Sequence, residues 1–195
     1  MMTAAPISRL GASALSIRAA LAEETDTLER LIAASARALG RGFYSDAETE
    51  ALIEHVFGVD SELVADGTYL VVEDDSGVIA CGGWSRRRTL FGGDRYVVRS
   101  SDLLDPAQDA ARIRAFFVAP GQARRGIGSQ LLDACEGAAL AAGFTRMALM
   151  ATLPGAPFYA RHGYVAEPTE TLVLGGTSVA LIPMAKLYVA DRTRI

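Results

Sequence analysis

Gly126 and Gly128 stand one residue apart behind two arginines, Arg124 and Arg125, in the stretch GQARRGIGSQLL (121–132). An apolar run, RIRAFFV (112–118), precedes them and stops before Pro120. An amphipathic pattern follows. Strand, glycine turn and helix together make an anion site, because the first amides of a helix lack intrahelical partners and sit at the positive end of its dipole. The glycines remove side chains that would hold a phosphate off the backbone, and the arginines add charge. A nucleotide-triphosphate loop would need Gly-Lys-Ser or Gly-Lys-Thr, and neither follows here. A dinucleotide fingerprint needs a third glycine and an acid about 20 residues on. Leu131 occupies the glycine position, and MALMAT (147–152) supplies no acid.

A third arrangement fits better. VAPGQARRGIGSQLL resembles the coenzyme A pyrophosphate loop of the GNAT superfamily of N-acetyltransferases, [Q/R]-x-x-G-x-[G/A] after a strand ending in Val-x-Pro. Val118, Pro120, Arg124, Arg125, Gly126, Ile127 and Gly128 carry the match. Ala123 departs from it, standing where Gln or Arg is usual. Downstream, APFYARHGYV (156–165) resembles the family's C-terminal signature, a Phe-Tyr pair followed by a Gly-aromatic turn. The resemblance covers residues 15–188.

It implies an α/β (α+β) fold with a central, mostly antiparallel twisted sheet of six to seven strands flanked by helices. It implies acetyl-CoA as co-substrate and an amine of a small molecule or peptide as acceptor, with no metal. Phe116, Phe117 and Val118 would line the pantetheine arm and offer an amide to the thioester carbonyl. Arg124, Arg125, Gly126, Ile127, Gly128, Ser129 and Phe158 would hold the coenzyme. Tyr159 would lie beside the sulfur, where a phenol with a pKa of about 10 stays protonated and can donate to the leaving thiolate.

The attacking amine must be neutral, yet an alkyl amine has a pKa of about 10.4. The strand before the loop offers no acid or histidine to take its proton. Glu48, His55 and Asp102 are candidates, each read first as an ordinary surface residue, and a water chain stands level with them. Arg114 could instead recognise an acidic acceptor. Phe43, Tyr44, Trp84 and Arg86 would line the acceptor pocket, with core and pocket readings level for Trp84. His162, one helical turn past Tyr159, reads as solvent-facing. The missing base and Ala123 motivate a second hypothesis, a coenzyme A-binding regulatory module without catalysis. A hydrolase finds no support, since GIGSQ is not G-x-S-x-G.

These residues need a scaffold, and the chain has room for one well-packed domain: 195 residues, half of them hydrophobic. Residues 1–14 read as a disordered tail and 15–195 as the domain. The net charge of −4 argues against a dedicated nucleic-acid binder. SRRR (85–88) reads as a solvated strand end or a contact for a small anion. Cys81 and Cys135 lie in apolar patterns and read as small core residues. Two histidines give no metal-ligand spacing, and no apolar run reaches the roughly 20 residues of a membrane span. A cytoplasmic protein is expected, and a homodimer is compatible with it.

The elements alternate, predicting mixed layers. A strand begins near Leu15. A helix spans 23–39 with Leu28, Leu31, Ile32, Ser35 and Leu39 on one stripe. Ser45 and Glu48 form a capping box opening a second helix. A hairpin joins 68–73 to 78–84, and 112–118 is a further strand. The helix over 126–142 carries a stripe of Ile127, Leu131, Cys135, Ala138 and Ala142, with Gly143 as its cap. A strand at 145–152, a short helix holding Tyr159 and an antiparallel pair complete the chain.

Overall fold

The computed structural model describes residues 15–188; the tail read at 1–14 and the segment 189–195 lie outside the described residues. Strand β1 (Ser16–Ala19) leads through a 3-10 turn into α1 (Thr25–Leu39). Helix α1 buries Leu28, Leu31, Ile32 and Ser35, while Leu39, expected on the same stripe, is exposed at the helix end. Helix α2 (Asp46–His55) opens on the capping box: Ser45 Oγ accepts from the Glu48 amide at 3.2 Å, and Glu48 accepts from the Ser45 amide at 2.8 Å. Helix α3 (Ser61–Ala65) had no periodic signal, being five residues long. Its sequence mark is Asp60, which accepts from the amides of Glu62 and Leu63 at 3.0 and 3.3 Å.

The hairpin is β2 (Tyr69–Asp74) and β3 (Gly77–Ser85). Then come β4 (Ala111–Val118), α4 (Ile127–Ala141), β5 (Arg146–Thr152), α5 (Ala156–Arg161), β6 (Val165–Ala166), β7 (Glu170–Leu174) and β8 (Thr177–Leu187). They form one eight-stranded sheet in the order β1-β2-β3-β4-β5-β8-β6, with β7 also pairing β8. Every pairing is antiparallel except β4 with β5, which α4 connects as a crossover. The two-residue β6 takes the count past the six to seven strands expected, and so short a strand has no alternation to read. Among the described residues no helix is long and apolar enough to cross a membrane.

Alternation along the strands sends side chains to two cores. Val71 and Cys81 join Leu28, Ile32 and Leu63 beneath α1, whereas Val72 and Ala80 join Leu131, Leu132 and Cys135 beneath α4. Both cysteines are buried and free, and burial pushes the Cys81 thiol up to about 12. The buried stripe of α4 differs from the expected one. Ala138 and Ala142 are exposed, and Leu132, Glu136 and Ala139 take the inner face. The inner face admits the Glu136 carboxylate because partners from later in the chain meet it there.

Glu136 is 3% exposed and well served. Tyr164 Oη donates to it at 2.7 Å, Lys186 Nζ lies at 2.8 Å, and the Tyr188 hydroxyl also donates. One carboxylate therefore ties α4 to the end of β8. Replacing it (Glu136→Ala) strands the ammonium and two phenols, and is expected to cost about 3 kcal/mol, read as a lower urea midpoint with unchanged slope.

Candidate active site

The site begins where two neighbouring strands part. β4 and β5 pair only at Ala111↔Met147 and Arg112↔Ala148, although both run on, to Val118 and Thr152. A bulge accompanies the parting. Cys81 faces Phe117 and Gly83 faces Arg114, so Ala115 and Phe116 together oppose Gly82. Ala115 adopts φ 56°, a left-handed conformation rare for a residue with a Cβ. Gly82 is required opposite, since a Cβ there would come within 2.6 Å of the Phe116 ring. The consecutive phenylalanines point to opposite faces, as neighbours on a strand do. Phe117 packs edge-on against Phe57 at 5.1 Å, and Phe116 against Tyr159 at 6.3 Å. Both line a cleft of about 760 Å³ that the parted strands leave open.

After Val118 a 3-10 turn (Pro120–Gln122) leads into the glycine loop. Arg124 and Gly126 take positive φ, 63° and 80°, and Gly126 is the N-cap residue of α4. No side chain caps this helix and its first turn holds no acid. The amides of Ile127, Gly128 and Ser129 are thus left for something else. Ala123, Arg124, Gly126, Ile127, Gly128 and Ser129 all lie on the cleft wall, as does Val118. Arg125, expected among them, is not on the wall; its guanidinium donates to the side-chain oxygen of Gln122, which is.

Helix α5 brings Phe158 and Tyr159 to the same wall. Tyr159 is 9% exposed, ringed edge-on by Phe116, Phe158 and Tyr164, and its hydroxyl has no hydrogen-bond partner among the described residues. Burial pushes its phenol above the usual tyrosine range. His162 is not the solvent-facing residue expected. It is half-buried on the cleft wall, with Nδ1 2.9 Å from Phe158 O and Nε2 3.0 Å from Ser129 Oγ.

The far end of the cleft is aromatic. Phe43 and Tyr44 lie there as expected. Tyr44 Oη donates to Ala180 O at 2.7 Å and accepts from the Leu153 amide at 2.9 Å. Phe57, Phe91, Gly92 and Gly93 complete that wall. The last three sit in a loop without periodicity, and only the paired glycines marked it in the sequence. Arg114 also lines the cleft, but Asp60 holds it at 2.5 Å and Gly92 O accepts from it. Burial pulls its guanidinium below the usual arginine range, Asp60 opposing. Arg99 shares Asp60 at 3.0 Å.

Two residues considered for the lining are elsewhere, and for Trp84 this is the core reading that stood level with the pocket one. Trp84 is buried against Phe144, ring centroids 6.2 Å apart, in the core beneath α4. Its position on β3 places it below the part of β4 that still pairs regularly. Arg86 is exposed past the strand end, and Arg87, its neighbour in the basic patch, is spent on Asp66 at 2.7 Å. None of the candidate bases lines the cleft. Glu48 closes its capping box, the His55 ring lies against Gly175, and Asp102 accepts from Ser100. Among the described residues no Asp or Glu side chain reaches the cleft wall, which carries Arg114, Arg124, Arg161 and His162 as its ionisable groups besides tyrosines.

The loop's two glycines do different work. Gly126 meets nothing within 4 Å but is left-handed; Gly128 is not left-handed, and a Cβ there would make ordinary contact with Phe158 at 3.5 Å. Gly126→Ala is expected to cost about 1 kcal/mol of stability and Gly128→Ala much less, in parallel thermal melts.

Residues 65–166 match the family model for the acetyltransferase (GNAT) domain. No curated protein matches the chain significantly. Among solved structures it resembles a GCN5-related N-acetyltransferase (aminotransferase, class-II) from Rhodopseudomonas palustris, with TM-score 0.67 and 23% identity over 92% of this chain and 99% of that one. It resembles the PaiA N-acetyltransferase of Thermoplasma acidophilum, solved with coenzyme A, with TM-score 0.61 and 18% identity over 90% and 99%. A GNAT family acetyltransferase from Brucella melitensis, solved with acetyl-CoA, gives 0.54 and 16% over 94% of each chain. These likenesses are of fold. The family match spans more than half of the chain and runs from the end of α3 through the glycine loop to α5 and β6, so the chain belongs to the GNAT acetyltransferases.

Proposed function

We propose that the chain transfers the acetyl group of acetyl-CoA to the amine of a small molecule or peptide by direct attack. One observation carries this reading: the uncapped start of α4 and Tyr159, whose hydroxyl has no partner among the described residues, line a single cleft, opened by the parting of β4 from β5. The amides of Ile127, Gly128 and Ser129, with Arg124, receive the diphosphate. Phe116, Phe117 and Val118 line the extended arm, and the β4 backbone offers an amide to the carbonyl oxygen as charge builds on it.

In the transfer, a bond forms between the amine nitrogen and the acetyl carbon, and the carbon–sulfur bond breaks. Tyr159 gives its proton to the departing thiolate. The cleft wall offers the amine no carboxylate, so its proton leaves through water. An acid-free, largely aromatic acceptor end also favours an amine that arrives neutral, because a cation there would find no free counter-charge, Asp60 being taken up by Arg114 and Arg99. The kinship with acetyltransferases solved with coenzyme A or acetyl-CoA supports the choice of donor.

The test is thiol release from acetyl-CoA across a panel of amines, beside calorimetry with coenzyme A. Turnover on at least one amine is expected. Binding without turnover on any amine would instead favour a non-catalytic coenzyme-binding module. Tyr159→Phe is expected to lower kcat by about 10²-fold while leaving KM for acetyl-CoA nearly unchanged. The acid must be protonated to act, and burial raises its pKa, so its proton is retained to higher pH than an ordinary tyrosine's. The kcat profile of the parent enzyme is therefore expected to show no alkaline fall below about pH 10. A fall through pH 8 to 9 would remove Tyr159 from the role.

A further inference from the structure

His162, the residue that ends α5, meets the first turn of α4 at Ser129, and both residues line the cleft. Ser129 is the third residue of α4, and its amide is among those left without a cap. Helical side chains lean toward the N-terminus, so its Oγ lies on the same side as the open amides. The proton positions follow from the partners. His162 Nδ1 stands 2.9 Å from Phe158 O, which can only accept, so Nδ1 carries hydrogen. In a neutral imidazole Nε2 then carries none and can only accept. At 3.0 Å, Ser129 must therefore donate to it. The one hydroxyl hydrogen of Ser129 is spent on the ring, and the oxygen shows the cleft only lone pairs.

A proton on Nε2 reverses this. The imidazolium donates to Ser129 Oγ, and the hydroxyl hydrogen is free to point at an anion on the amides. The same event sets a positive charge one hydroxyl away from that anion. We infer that His162 takes up a proton when the diphosphate binds, Ser129 relaying its charge to the phosphate oxygens. This rests on the coenzyme reading above and adds a proton-linked determinant to it, making His162 a positioning residue for the coenzyme.

The surroundings leave this contact to set the linkage. Arg161 adjoins His162 on α5, and Arg124 and Arg125 lie in the loop; these guanidiniums stay charged at any working pH. On α4, Asp133 is exposed one turn beyond Ser129, and Glu136 is bound to Lys186 of β8 at 2.8 Å. Among the described residues no carboxylate oxygen lies within 4 Å of the His162 ring.

Calorimetry with 3′-dephospho-coenzyme A tests the inference, since its diphosphate keeps one charge across the range in which histidines titrate. Titrations near pH 7 in two buffers of different ionisation enthalpy are expected to differ, reporting proton uptake. Affinity is expected to be about tenfold higher at pH 5.5 than at pH 8.5. His162→Gln keeps a hydrogen-bonding group beside Ser129 but cannot gain charge, and is expected to flatten the profile. Ser129→Ala is expected to shrink it. Binding with equal heats in both buffers, or a slope that survives in His162→Gln, overturns the inference and leaves the coenzyme reading standing. No binding at any pH overturns both.

Discussion

The parting of β4 from β5 is the constraint on which the rest depends. Two pairs of residues hold the strands together, and beyond Arg112 each keeps only its outer neighbour, β3 or β8. The bulge at Ala115 and Phe116 bends β4 away, and Gly82 makes the bulge feasible by leaving room for a ring. Without the parting, α4 would still begin with unpaired amides, but those amides would overlook a continuous sheet. Tyr159 would be an ordinary core phenol. A single backbone irregularity thus turns three separate features into walls of one cleft.

Charge is distributed with equal economy. The aromatic end of the cleft holds Arg114, but Asp60 compensates it, and Asp60 is also the cap of α3 and a partner of Arg99. The remaining ionisable groups on the wall cluster at the start of α4, where the helix dipole already favours anions. The cleft is therefore polarised along its length, anion-seeking at one end and close to neutral at the other. A phenol between the two, kept protonated by burial, suits a step in which negative charge appears on a leaving group.

Much of this was legible in the residues. The glycine loop, the Phe158–Tyr159 pair, the capping box and nearly every strand carry local signals: turn chemistry, alternation, caps. What escaped was nonlocal. Trp84 and Arg86 were placed by analogy of position along the hairpin, and only the register of β3 on β4 decides that one is core and the other lies outside. The burial of Glu136 depends on Tyr164, Lys186 and Tyr188, which arrive decades of residues later. His162 looked exposed for the same reason, its partner Ser129 being 33 positions away. The bulge left almost no trace, since alanine followed by phenylalanine reads as plain strand.

The same parting has a second consequence. Peptide groups on the facing sides of β4 and β5 beyond Arg112 lack the neighbour that a closed sheet would give them, so the interior of the molecule contains two short free borders. Borders of this kind invite another extended chain. An arm bearing amides, laid between them, would act as a missing strand and knit the two halves of the sheet into one. Main-chain bonds made on both sides at once would stiffen the sheet as well as hold the arm.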